Sequence, residues 1–353
     1  MKRMFSAIWQ RCRDLARLYH PKTLKQQGPI WAGVLAVATL MVVMLVLSWI
    51  WGSEPDQFNV HKTAAQRAAE LQLEPVTGMV TVATTMEIVD ILLEKPGGYL
   101  SNDVMPPGVW MDNMPSWEFG VIIQLRDMAR ALRNDMSRSQ SQSLEDKDLA
   151  EAEPLFNFDN DSWLFPPTER EYAKGRKALG RYFVRLAKTD KGGAQFFSRA
   201  DNLRDWLAVV EKRLGGMSQR LSASIGQIRI NTNLAGDAEA REATPSPRVM
   251  VVKTPWLEID DVFYEARGAT WALSHLLQAM EYDFRDILQK KNALVSVRQI
   301  IRELEGAQQP VWSPVVLNGS GFGVVTNYSL IMASYISRAN AAVIDLRNLL
   351  SQG

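Results

Sequence analysis

The stretch IWAGVLAVATLMVVMLVLSWIW, from Ile30 to Trp51, holds 22 residues and no charge. About 20 apolar residues suffice for a helix to cross the hydrocarbon of a bilayer, so a transmembrane helix is expected at 30–51. Trp31 at one end and Trp49 and Trp51 at the other suit the headgroup level, where indole rings collect. Gly28-Pro29 marks the start, and Gly52 with Pro55 the stop. A cleaved signal peptide has a shorter apolar region and small residues at its cleavage site. The Ser-Trp-Ile-Trp ending fits that poorly, so an uncleaved anchor is expected.

Charge divides sharply around this span. Of 40 Lys and Arg and 39 Asp and Glu in 353 residues, residues 1–51 hold seven bases and one acid, Asp14. The remaining chain holds 33 bases and 38 acids. The positive-inside rule keeps residues 1–29 in the cytoplasm and sends the rest across. Within residues 3–20, Met4, Phe5, Ile8, Trp9 and Leu15 share one arc at helical spacing, and Lys2, Arg3, Arg13 and Arg17 the opposite one. That is the pattern of a helix lying in the headgroup plane of an anionic leaflet. Cys12 is the only cysteine, which excludes an internal disulfide and fits an oxidising far side. A net charge of +1 gives no global case for nucleic acid.

Beyond the span the chain reads as mainly α, with little or no β. Residues 52–75 form a linker with a short helix, 76–233 a helical region, 234–248 an exposed linker, and 249–353 a second helical region packing with the first. Thr84-x-x-Glu87 reads as a capping box opening a helix through Glu94. Residues 96–115 form a Pro- and Gly-rich loop around Trp110, and Ser116 is a candidate N-cap. Pro166-Pro167-Thr168 opens a helix to about Lys188. Gly215-Gly216 separates two helices, 199–214 and 217–233. Val249 to Lys253 reads as a short strand, 257–291 as a long helix, and 292–305 and 327–350 as the last two helices. Residues 306–337 lack charge but carry too many Gly, Pro and Asn to face lipid.

The runs PGGYLSNDVMPPGVWMDNMPSWEFG at 96–120 and WLFPPTEREYAKG at 163–175 resemble a family of Gram-negative inner-membrane proteins, domain of unknown function 2333. The likeness covers nearly the whole chain. It implies an inner-membrane protein with a periplasmic domain, and it brings no chemistry and no site residues.

Motifs for chemistry fail on inspection. Asp159-Asn160-Asp161 lacks the Gly and Glu that an EF-hand needs at positions 6 and 12. Gly319 to Gly323 lacks the Lys-Ser/Thr of a phosphate loop. Glu258, Asp260, Asp261 and Glu265 cluster on one helix and could serve glycoside hydrolysis, although such charges more often form a solvated face. Neither a metal nor a cofactor is expected, and no catalytic residue is assigned. The clearest pattern is a basic stripe: Arg170, Lys174, Lys177, Arg181, Arg185 and Lys188 fall on one side of a helix, opposite Tyr172, Leu179, Tyr182, Phe183 and Leu186. It would dock anionic lipid or an acidic partner, or pair internally with the acids at 145–161.

These readings point to a membrane-anchored structural or interaction protein of the envelope, not an enzyme. Its expected partners are membrane lipid and other envelope proteins, with self-association left open. A binding module for anionic lipid or glycan and a carboxylate-dependent cell-wall glycan hydrolase are the alternatives. Exposed apolar patches would favour interaction, a long apolar groove lipid, and a cleft with two carboxylates the hydrolase.

Overall fold

The structure, a computed structural model, describes residues 10, 19–20, 25–139, 144–188, 193–230, 249–311, 313, 315–319 and 324–352. The chain divides into two compact units, Met1–Gly52 and Ser53–Gly353. Met4, Phe5, Ile8, Trp9 and Leu15 lie outside the described residues, as does the linker expected at 234–248.

In the first unit, helix α1 spans Pro29–Trp51, opened by a proline in its first turn, and buries none of its residues. The Thr39 hydroxyl donates back to the Leu35 carbonyl at 2.7 Å, so it is not stranded on an apolar surface. Among the described residues, it is the single helix long and apolar enough to cross a membrane, a test that a signal sequence near an N-terminus also passes.

The second unit contains α2 (Val60–Glu70), α3 (Met79–Glu94), α4 (Asn113–Ala131, continued by a π turn to Met136), α5 (Lys147–Phe156), α6 (Thr168–Leu186) and α7 (Ala200–Ser222). The strands β1 (Gln227–Ile230) and β2 (Val249–Val252) pair as an antiparallel ribbon. Then follow α8 (Ile259–Asp283), α9 (Arg285–Lys290), α10 (Leu294–Gly306) and α11 (Tyr328–Ser351). The protein is thus mainly α.

Helix α8 is the centre. Every residue from Ala266 to Leu277 is buried, the mark of a helix surrounded on all sides. It packs on α4, with α3 and α10 beside it, while α11 covers α7 and α10 and α6 covers α3 and α5. The α4 and α8 backbones touch. A Cβ at Gly120 would lie 2.1 Å from the Glu265 carbonyl oxygen, and one at Gly268 1.9 Å from that of Trp117. Only glycine admits this approach from both sides.

Four expected boundaries are corrected. Helix α3 begins at Met79, not at Thr84, which is fully buried within it. Its N-terminus is capped from α8: Asp283 accepts from the backbone N–H groups of Gly78 and Thr81, both at 2.8 Å, and from the Thr81 hydroxyl at 2.7 Å. Helix α4 starts at Asn113, with Asp112 as its cap, and Ser116 turns to Asp261 instead. Helix α7 runs unbroken through Gly215-Gly216. Two internal glycines cost roughly 1 kcal/mol each relative to alanine. The stripe Leu203, Leu207, Val210, Leu214, Met217 and Leu221 is buried throughout, and its packing offsets that cost. Beyond Ser222 the chain turns at Gly226, φ +90°, into β1 rather than continuing as helix to 233.

Candidate functional site

The Pro/Gly-rich loop after α3 is organised by one buried carboxylate. Glu118 of α4 is fully buried and pairs with the Lys95 ammonium at 2.5 Å. It also accepts from the backbone N–H groups of Leu100 and Ser101, both at 2.8 Å, and from the Ser101 hydroxyl at 2.5 Å. Burial pushes the Glu118 carboxyl up, against the pull of Lys95 and these donors. The loop's polar groups therefore point inward and find partners there.

A second loop, between α5 and α6, locks onto the first. The Tyr99 hydroxyl donates to the Asn160 carbonyl at 2.8 Å. The Asn102 amide donates to the Ser162 carbonyl and to Glu169, both at 2.8 Å. Thr168 ties the second loop to itself through the Asp159 carbonyl at 2.7 Å, and Arg126 holds the carbonyls of Phe156 and Phe158, both at 2.8 Å.

Beside the exposed Asn157, Asp159 and Asp161, these loops turn large apolar side chains outward. Met105 and Trp110 of the first, Trp163 and Phe165 of the second, and Trp256 and Leu257 just before α8 are all exposed. Phe165 is 92% exposed and stands at φ +56°, a left-handed conformation that costs a bulky residue about 1–2 kcal/mol. Scattered exposed apolar residues are ordinary. Here six large apolar side chains, one of them a phenylalanine in a strained backbone conformation, face water from two interlocked loops and the turn before α8.

Between the loops and the first turns of α8 lies a cavity of about 380 Å³, walled by Ser101, Ser116, Asn160, Glu258, Asp261 and Glu265 among others. The Ser116 hydroxyl donates to Asp261 at 3.0 Å. Burial raises the Asp261 carboxyl, aided by the nearby charges of Asp112, Asp260 and Glu258 and opposed by Ser116. One turn on, both oxygens of Glu265 are held by Arg220, at 2.5 and 2.6 Å. Glu265 is thus engaged by Arg220, while Glu258 lines the same cavity beside Asp261. Among the described residues, no group of three or more His, Cys, Asp or Glu is placed to hold a metal ion.

The basic stripe lies on the outer face of α6, with Tyr172, Leu179, Tyr182, Phe183 and Leu186 buried opposite. Its members divide. Arg181 pairs with Asp148 at 2.8 Å and with Glu151, Arg185 with Asp146 and Asp148, both at 2.6 Å, and Lys174 with Glu171 at 2.7 Å. Burial pushes Asp148 up, but hydrogen bonds from Arg181 and Arg185 outweigh it and hold the carboxyl below its ordinary value. The Arg181 and Arg185 pairs join α5 and its N-cap to α6, while Lys174–Glu171 lies within α6. Arg170, Lys177 and Lys188 remain exposed. Trp31, Trp49 and Trp51 stand at the two ends of α1. The outward aromatics of the two loops were not singled out from the sequence as a surface. Their one local signal is bulky rings set among prolines and glycines.

The fold defines a class: a mainly helical protein preceded by one apolar helix of membrane-spanning length. Within it, this chain belongs to the family described as an uncharacterized protein conserved in bacteria, DUF2333, whose model matches residues 24–353. No curated protein and no solved structure matches the chain.

Proposed function

We propose that this protein is a membrane-anchored interaction protein of the bacterial inner membrane, without enzymatic activity, whose periplasmic domain docks another envelope protein through the Trp110, Phe165 and Trp256 surface. The observation that carries this reading is the set of exposed aromatics on two loops pinned from beneath by Glu118, Tyr99 and Asn102. A rigid apolar surface loses little conformational entropy on binding, and central aromatics contribute most at interfaces. The unburied helix α1 and the seven bases that precede it support the anchor and its orientation.

Two experiments test the reading. Reporter fusions after Ser53 and after Gly353 should both report the periplasm, and a cytoplasmic signal at either position refutes the topology. In the intact envelope, Trp110→Ala and Phe165→Ala should each weaken crosslinking to the partner, by about 2 kcal/mol or roughly 30-fold in affinity if they are central contacts. Their melting temperatures should stay near that of the parent, because these side chains pack little in the free protein. Unchanged crosslinking in the double variant refutes the surface. A second reading, a glycan-binding module, draws on the carboxylate, hydroxyl and amide groups of the 380 Å³ cavity. Retention on purified cell-wall glycan, lost in Asp261→Ala, distinguishes it.

A further inference from the structure

A separate cavity of about 280 Å³ lies among α4, α7 and α8, and its chemistry differs from that of the surface above. Its apolar walls include Ile123, Met217 and Ala269, and three cations line it: Lys212, Arg213 and Arg220. Arg213 grips Asp127 through Nε and one terminal nitrogen, at 2.7 and 3.0 Å. Arg220 grips Glu265 through its two terminal nitrogens. Among the described residues each guanidinium therefore keeps donors uncommitted: the second terminal nitrogen of Arg213 and the Nε–H of Arg220. The two arginines lie close enough for the charge of Arg213 to oppose that of Arg220. Three cations against two carboxylates leave one positive charge.

Two further observations point to a ligand. Gln124, only 3% exposed, lines this cavity, and its amide nitrogen has no hydrogen-bond partner among the described residues. A buried donor left unpaired is costly, and an acceptor entering the cavity would relieve it. Gly216 lies in the interior of a long helix, where glycine is disfavoured. Nothing stands within 4 Å of where its Cβ would be, so no neighbour demands the absence of a side chain. Gly216 is exposed and lines the cavity, so a larger side chain there would enter it.

We propose that this cavity is a binding site for a singly charged oxyanion, such as a phosphate ester, carrying a short apolar group. The oxyanion would accept from the Gln124 amide, Arg213 and Arg220, with Lys212 at the entrance, while the apolar group would lie against Ile123, Met217 and Ala269. The volume falls just below the usual range for small-molecule pockets, which limits the ligand to a small anion or the headgroup of a larger lipid.

The test uses the full chain in neutral detergent, titrated with diethyl phosphate, with sodium chloride as the ionic-strength control. Diethyl phosphate should raise the melting temperature saturably, beyond the effect of chloride. Gly216→Leu fills the space and should weaken the response at least tenfold, while its own melting temperature is maintained or raised. Gln124→Met removes the donor at similar volume and should weaken it likewise. Lys212→Gln, on the surface, should weaken it less. Equal responses in the parent and Gly216→Leu, or a response no greater than that to chloride, overturn the proposal. Competition by phosphatidylglycerol in bicelles supports a lipid headgroup as the source, and its absence, with diethyl phosphate still bound, supports a soluble anion.

Discussion

Replacing Glu118 with alanine should destabilise the domain by about 3–5 kcal/mol, the usual cost of removing one partner from a buried ion pair. The physical reason is the number of groups stranded together. Lys95, whose side chain is 1% exposed, loses its counter-charge. The N–H groups of Leu100 and Ser101 and the Ser101 hydroxyl lose their acceptor. Water must then enter the loop, or the loop must leave the core. Urea unfolding of the full chain in detergent measures the loss, and limited proteolysis should show new cleavage within residues 96–112. The double variant Lys95→Met/Glu118→Met should recover part of the stability, since no charge is then buried alone. A loss below about 1 kcal/mol in Glu118→Ala would show that the pair does not organise the loop. The variant also bears on the interaction surface, because Trp110 is presented by the segment that Glu118 holds.

Acidification should weaken the same domain through His275. Its Nδ1–H donates to the Trp271 carbonyl at 2.7 Å, its Nε2 accepts from the Phe58 N–H at 3.1 Å, and its ring stacks on Phe58 at 4.1 Å. Only the neutral ring can do both, because protonated Nε2 would face another donor. Burial lowers the pKa of His275 to about 4. In the unfolded chain it titrates near 6.5, so between these values the unfolded state binds the extra proton. The stabilisation is complete above about pH 6.5 and is lost as pH falls toward 4. Between pH 7.5 and 4.5 the contribution should fall by roughly 2–3 kcal/mol. The raised carboxyls of Glu118 and Asp283, both lifted by burial, contribute with the opposite sign in this range. The test is therefore the difference between the parent and His275→Phe, which keeps the stack but not the titration. Parallel pH profiles for the two proteins would refute the assignment.

Much of the architecture could be read locally. Helix α6 begins at Thr168, as Pro166-Pro167-Thr168 indicates, and buries the aromatic face opposite its cations. The broad apolar face after 257 becomes α8, and the strand near 249–253 is present. The misreadings share a cause. Thr84 resembles a helix start because its true start, Met79, is capped by a residue more than 200 positions away. Gly215-Gly216 resembles a break because the packing that carries α7 through it is not visible in a local window. The basic stripe was visible as a stripe, yet only the placement of α5 shows that Arg181 and Arg185 serve that helix.

The sequence by itself determined the apolar span, its flanking charge, the helical character of the rest and the two faces of α6. Each of these depends on composition or on a period within a single segment, so no distant partner is needed to read it. The tertiary structure alone decided the contact of α4 and α8 at Gly120 and Gly268, the caging of Glu118, the outward turn of Phe165 and the free amide beside Arg213 and Arg220. These are meetings of groups far apart in the chain. Whether a glycine is a hinge or a contact, or a carboxylate solvated or buried, is set by what folds against it.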